Sequence, residues 1–410
     1  VTGRLSRRQA LQLSMGAGLM TLLPRVAAAA GGRRRLLVYF NSGGWDTTQV
    51  FDPHFEADGI DRDADAVPAT AGDLAYAHAD SRPSVQRFFD THGSRCVVVN
   101  GIAVHSISHS QAAKMMLTGT PTLDAADVAT VVAARQGLGL PLPFAVLSGP
   151  RYPGTLGRYQ VPLNHLLVGA ARGDLPAGAF DAAREERLRS YQQDVGQLRL
   201  DQTGDPRVEE YLAALQLRDA LDAGLDGLEV SEDSDADALL DTAVQALARG
   251  LSACAIVQGE VPTLVGWDTH SDNDAQQDAC YEASFDTLDQ LVSTLVSTTG
   301  PEGAPLIEST TLLVVSEMGR LPHLNAQQGK DHWPVTSCML VGAGVEGGRV
   351  VGATDGGLNA LAVDADTGEA AEGGVVLSSA GLLAGLLERF DVDPAEPLPG
   401  VTPFRAPFAG

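Results

Sequence analysis

Leu36-Leu37-Val38-Tyr39-Phe40, followed at once by Asn41-Ser42-Gly43-Gly44-Trp45-Asp46, is the stretch that decides the fold class. Five consecutive apolar residues running into a glycine-rich turn read as a strand covered on both faces, because a half-exposed strand would alternate. The same pattern recurs at Cys96 to Val99, Ala253 to Val257, Leu312 to Val315 and Cys338 to Val341. Between these runs the apolar period changes. Phe285, Leu288, Val292 and Leu295 recur at spacings of three and four, as do Leu382, Leu383, Leu386 and Leu387. Strands alternating with helices predict an α/β protein, a parallel sheet sandwiched between helices.

Working outward, residues 180–249 depart from the alternation. Leu188, Tyr191, Val195 and Leu198 form one helical stripe, and Val208, Tyr211, Leu212 and Leu215 form another after the breaker Gly204-Asp205-Pro206. This predicts a mostly helical insertion packed on a single sheet domain of residues 31–410, with the acidic run Ser231 to Asp237 as a loop leading to a helix cap. Residues 57–83 read as a polar, strand-poor surface excursion. No internal repeat is visible.

The first thirty residues read differently. Arg7-Arg8 precedes a stretch without charge until Arg25, and Ala27 to Ala30 provide small residues for a peptidase. This order predicts a secretory signal of the twin-arginine type, with the export machinery as a partner and a periplasmic or extracellular destination. The uncharged stretch is short for a membrane span of about 20 residues, so an uncleaved anchor is the lesser reading. Twin-arginine export moves folded proteins, which often accompanies a cofactor loaded beforehand.

Removing that segment takes away four arginines and no acids, moving the formal charge from −24 to −28. So acidic a surface repels nucleic acid and anionic lipid, and excludes both as partners. A phosphate or sulfate ester could approach only where a metal or local cations reverse the field. Cys96, Cys254, Cys280 and Cys338 form no C-x-x-C pair. Most adjoin strand-like runs, which predicts buried thiols and argues against zinc–thiolate chemistry. Nothing in the pattern sets an oligomeric state.

Candidate chemistry lies where strands end, since ligands of open α/β sheets gather there. Asp46 follows the first strand. Gly266-Trp267-Asp268-Thr269-His270 follows the strand near 255, and alternation along extended chain puts Asp268 and His270 on one side. Ser316-Glu317-Met318-Gly319-Arg320 follows the strand near 314, and Lys330-Asp331-His332-Trp333 comes soon after. Each taken alone has an ordinary explanation: Asp46 as a turn cap, Asp268 and His270 as a structural pair, Glu317 as a solvated charge. Taken together they are the residue types that hold zinc, manganese or a similar divalent ion. A fourth segment, Ser108-His109-Ser110, opens a helix ending at Gly119. It is either a capped helix or a nucleophile or ligand held at a helix dipole.

These segments, in this order, resemble the bacterial family known as domain of unknown function 1501, a distant relative of alkaline phosphatases and sulfatases. The resemblance covers nearly the whole chain after residue 30. It implies a three-layer α/β/α sandwich with two metal ions flanking a nucleophile. On that likeness Asp46 matches the first metal-binding aspartate, and Asp268 and His270 share the other metal. Glu317 stands where the superfamily has aspartate, Met318 where it has a histidine ligand, and His332 matches the last metal-binding histidine beside Asp331. The nucleophile position falls on His109, with Ser110 one residue on.

The implied activity is a metal-dependent hydrolase of small or polymer-linked phosphate or sulfate esters, using one or two ions. Asp268, His270 and His332 would bind one ion and Asp46 and Glu317 a second. Ser110 or His109 would attack or hold the anion, and Arg320 and Lys114 would clamp it. The rival implication is a non-catalytic metal-binding envelope or surface protein, which Met318 and His109 favour.

Overall fold

The structure is a computed structural model that describes residues 32–164, 182–226, 228, 235–260 and 262–409. The proposed leader, residues 1–30, lies outside the described residues, as do the start of the insertion and residues 231–234 of the acidic run. Among the described residues no helix is long and apolar enough to cross a membrane.

Eight strands form one sheet: β1 (Arg35–Asn41), β2 (Cys96–Ala103), β3 (Phe144–Val146), β4 (Gln160–Pro162), β5 (Cys254–Gln258), β6 (Thr310–Ser316), β7 (Val335–Gly342) and β8 (Arg349–Val351). Their spatial order is β8-β2-β7-β6-β1-β5-β3-β4. Every residue of β1, β2 and β6 is buried, which explains the unbroken apolar runs. One strand departs from the expected parallel arrangement. β7 runs antiparallel to both β2 and β6. Direction leaves no mark on a strand buried on both faces, so its sequence reads like that of its parallel neighbours.

Helices cover both faces. On one side, Leu37 and Tyr39 of β1 join Phe88 and Phe89 of α1 (Pro83–His92), Leu240 and Val244 from Ala236–Ala248, and Phe285, Leu288 and Leu295 from Asn273–Ser297. On the other, Leu36, Val38 and Phe40 join Met116 and Leu117 of α2 (His109–Thr118), Val128 and Val132 of α3 (Val128–Gln136), and Leu383 and Leu386 from Ser379–Arg389. This is the predicted three-layer sandwich. Buried apolar surface contributes roughly 25 cal/mol per Å2, so the two cores supply the main drive to fold. All four cysteines are free and buried, and burial pushes their thiols up.

Two regions differ from the reading of the sequence. Residues 57–83 contain an antiparallel hairpin, Val67–Ala71 with Leu74–His78, turning at Gly72-Asp73. Its alanines and proline are weak strand formers, which dilutes the strand propensity of Val67, Thr70 and Tyr76; Tyr76 packs on Phe89 with ring centres 4.6 Å apart. In the insertion, α4 (Ala182–Thr203) packs mainly on α5 (Pro206–Leu225), with Gly196 facing Leu212 and Arg189 bound to Asp222 at 2.6 Å. The stripe of Leu188, Tyr191 and Leu198 is exposed rather than laid on the sheet. Within α5, Leu215 and Leu225 are buried, and the last helix of the insertion, Ala236–Ala248, does pack on the sheet.

Candidate metal centre

The site forms where β1, β5 and β6 end. In the β1–β6 register Phe40 faces Val315 and Asn41 faces Ser316, so the two following loops emerge side by side. Gly43 and Gly44 turn with positive φ, where a side chain would be strained. A Cβ on Gly43 would also sit 2.9 Å from the Asp268 nitrogen. The amides they expose are used: Gly43 N donates to Glu317 Oε1 at 2.8 Å, and Gly44 N donates to Ser316 Oγ at 3.2 Å. The two tryptophans clamp the loops from below. Trp45 and Trp267 are both buried and pack against Tyr281, Trp267 edge-on with ring centres 4.8 Å apart.

Three imidazoles and one carboxylate meet above this platform. Asp268 Oδ1 lies 3.0 Å from His332 Nε2 and 3.2 Å from His270 Nε2, and Asp268 Oδ2 lies 3.3 Å from His109 Nε2. The Nε2 atoms of His270 and His332 are 3.1 Å apart. Tetrahedral ligands on bonds of 2.0–2.1 Å stand about 3.3 Å from one another, so these spacings suit a divalent ion. One ligand atom from each of His109, Asp268 and His332 falls within 4.8 Å of the others.

The other ring nitrogen of each histidine is tied down. His332 Nδ1 lies 2.7 Å from the Ile107 carbonyl oxygen, which can only accept. His109 Nδ1 lies 2.8 Å from Glu317 Oε1, and His270 Nδ1 lies 2.8 Å from Asp331 Oδ1. Donation from the Nδ1 atoms of His109 and His332 leaves their Nε2 lone pairs to the group these rings form with Asp268, the orientation that metal-ligating histidines take, with His270 beside it. Neutral imidazoles that bring their lone pairs together repel unless a cation or protons lie between them. The donor set therefore fits zinc, manganese or a similar ion.

The electrostatics agree. Burial pushes the Asp268 carboxyl up, but the hydrogen bond and charge of Arg320, with smaller help from the neighbouring imidazoles, bring its pKa down to about 2. The hydrogen bond to Glu317 raises the His109 imidazole above its ordinary range. The Asp331 carboxyl is held low by His270.

The remaining predicted residues are placed as follows. Asp46 does not join the cluster. It caps the short helix Thr47–Gln49, and its carboxylate is buried against Lys330. Glu317 reaches the centre only through His109. Met318 packs in the core against Gly44. Arg320 is not free to clamp an anion. It is buried, and donates to the carbonyls of Gly43, Gly44, Trp267 and Lys330 as well as to Asp268 Oδ1 at 2.7 Å. It is a positioning residue that ties three loops together. Lys114 is largely buried along α2 rather than facing solvent. Ser110 is exposed on the first turn of α2; its carbonyl accepts from Tyr152 Oη, and among the described residues its hydroxyl has no partner. Lys330, Asn273 and the Ile107 carbonyl carry roles that sequence reasoning missed. For Lys330 the only signal was its position beside Asp331-His332.

An α/β sandwich with a histidine–carboxylate cluster at the ends of its central strands defines the class of this protein. The chain belongs to the family described as Protein of unknown function (DUF1501), which matches residues 33–368. Several solved structures are similar at low identity. A protein in the alkaline phosphatase superfamily from Vibrio parahaemolyticus gives a TM-score of 0.42 at 9% identity, over 97% of this chain and 78% of that one. A sulfatase from Pseudoalteromonas sp. gives 0.35 at 11%, over 97% and 79%. A phosphonate monoester hydrolase of Agrobacterium radiobacter gives 0.32 at 12%, over 90% and 78%. No curated protein matches the chain.

Proposed function

We propose that the protein is a metal-dependent hydrolase of phosphate or sulfate esters, exported by its twin-arginine leader to act outside the cytoplasm. One observation carries this reading: three imidazoles with anchored Nδ1 atoms turn their Nε2 atoms onto Asp268 at an open surface. The side chains of His109 and His270 are 40% and 47% exposed, so an ester has access. His109, Asp268 and His332, with His270 beside them, would hold a divalent ion, which would supply Lewis acidity toward an ester oxygen or a water.

The chain's own residues do the rest. Glu317 and the Ile107 carbonyl hold the Nδ1 protons of His109 and His332, fixing the rings. Arg320 keeps Asp268 ionised and in place. His270 and Asp331, at the mouth of the site, can hold a proton for the leaving group. His109 serves as a ligand, and water takes the part of the attacking group, because among the described residues the Ser110 hydroxyl meets no base.

The lone Ser110 hydroxyl and the core-packed Met318 favour a second reading, a non-catalytic metal-binding envelope or surface protein. Metal content and ester hydrolysis measured on one sample, with an Asp268→Ala variant beside it, separate the two. Metal and turnover present together and lost together in the variant support the hydrolase. Metal without turnover on any phosphate or sulfate ester supports the binding protein. A folded protein with no affinity for divalent ions overturns both.

A further inference from the structure

Lys330 Nζ lies 2.7 Å from Asp46 Oδ2, and neither side chain has any exposed surface. We propose that this centre works with one divalent ion, and that Lys330 is a resident cation standing where the resemblance places a second. The inference rests on reading the histidine cluster as a metal centre.

Both carboxylates expected to hold a second ion are already committed. Asp46 Oδ1 accepts from Thr48 N at 3.1 Å and Thr48 Oγ1 at 2.7 Å, and Asp46 Oδ2 accepts from Asn273 Nδ2 at 2.8 Å besides Lys330. Four donors fill what an ionised carboxylate accepts. Glu317 Oε1 accepts from Gly43 N and lies 2.8 Å from His109 Nδ1, while Ser316 Oγ lies 3.2 Å from Oε2.

Nor can the ammonium step aside easily. The backbone of Lys330 is pinned at both ends, its N–H donating to the Thr269 carbonyl at 3.0 Å and its carbonyl accepting from Arg320 Nη1 at 3.0 Å. Asp46 is pinned as firmly, by Gln277 at its N–H and Tyr281 Oη at its carbonyl. An ion entering at Asp46 would have to expel a fully buried ammonium and leave it without its counter-charge, which is strongly unfavourable. A lysine makes the neutralisation permanent and independent of metal supply. The Asp46 side chain then belongs to the buried scaffold rather than to the ion's ligands, bonded to Thr48, Asn273 and Lys330.

The test is metal stoichiometry on the full folded chain saturated with zinc or manganese and then dialysed, read by elemental mass spectrometry. We expect one ion per chain in the wild type and in the paired variant Asp46→Asn/Lys330→Met, with unchanged affinity, and none in Asp268→Ala. Two ions per wild-type chain, or an ion lost or bound at least tenfold more weakly in the paired variant, would overturn the inference. If the paired variant does not fold, wild-type stoichiometry decides alone. A wild type that binds no ion takes down the underlying metal-centre reading as well, whereas two ions take down this inference only.

Discussion

The Lys330 ammonium and the Asp46 carboxylate form an ion pair with no exposed surface, 2.7 Å apart, beneath the histidine cluster. Breaking one side of such a pair leaves an uncompensated buried charge. Lys330→Met alone should therefore destabilise the protein by about 3–5 kcal/mol, while Asp46→Asn/Lys330→Met together should cost much less. Urea unfolding of the three proteins checks this. Equal losses in the single and paired variants would mean that the charges are not coupled.

Glu317 and Asp331 hold the far nitrogens of His109 and His270. Replacing either by the isosteric amide keeps the shape but weakens the acceptor. Glu317→Gln and Asp331→Asn should each lower zinc affinity by about 10–100-fold, as loss of such outer partners does. Competition against a chromophoric chelator measures it. Unchanged affinity in both would show that the rings need no such support.

Zinc protection should depend on pH, and the sign follows from His109. Its folded pKa is raised by Glu317, so its ion pair stabilises the metal-free protein fully below the ordinary value of about 6.5. That contribution is lost as pH rises through the raised folded value. A metal needs the deprotonated ring, so the melting-temperature gain from zinc should be small in acid and grow through the same window. Melts with and without zinc across that range test it. A gain that shrinks as pH rises contradicts this role for His109.

Ser110 and His109 should part in mutagenesis. Ser110→Ala should leave hydrolysis unchanged, because the Ser110 hydroxyl has no partner among the described residues. His109→Ala should lose metal affinity and turnover together. Steady-state kinetics with metal analysis distinguish them. A loss on the order of 10,000-fold or more in Ser110→Ala, with metal retained, would restore serine as the nucleophile.

The charge of the site suggests which esters it prefers. One divalent ion and the Arg320 guanidinium stand against Asp268 and Glu317, leaving a single net positive charge. Asp331 is 55% exposed and screened by solvent. Monoanionic sulfate monoesters and phosphate diesters should therefore outrun dianionic phosphate monoesters. Comparison of kcat/KM for p-nitrophenyl sulfate, bis(p-nitrophenyl) phosphate and p-nitrophenyl phosphate tests it, and preference for the last counts against a single ion.

The sandwich was legible because burial on both faces erases alternation, as in Leu36–Phe40, and because a helix on a sheet keeps its period, as in Phe285 to Leu295. The antiparallel course of β7 was not legible, since direction depends on pairing rather than on composition. The Val67–His78 hairpin was missed because Pro68 and four alanines dilute the strand propensity of Val67, Thr70 and Tyr76. The stripe on α4 was read correctly as helical, but periodicity alone does not say which surface, if any, a stripe will meet.

The residue types of the centre and their delivery by strand-end loops were determined by the sequence alone. Local chain geometry already places a carboxylate and an imidazole together at Asp268 and His270. Only the tertiary structure decided which charges meet. It brought His109 from α2 to Asp268, buried Lys330 against Asp46, and committed Arg320 to loop carbonyls. Those pairings span dozens to hundreds of residues, and a low-dielectric interior sets their strength through distance and burial, quantities that no spacing along the chain contains.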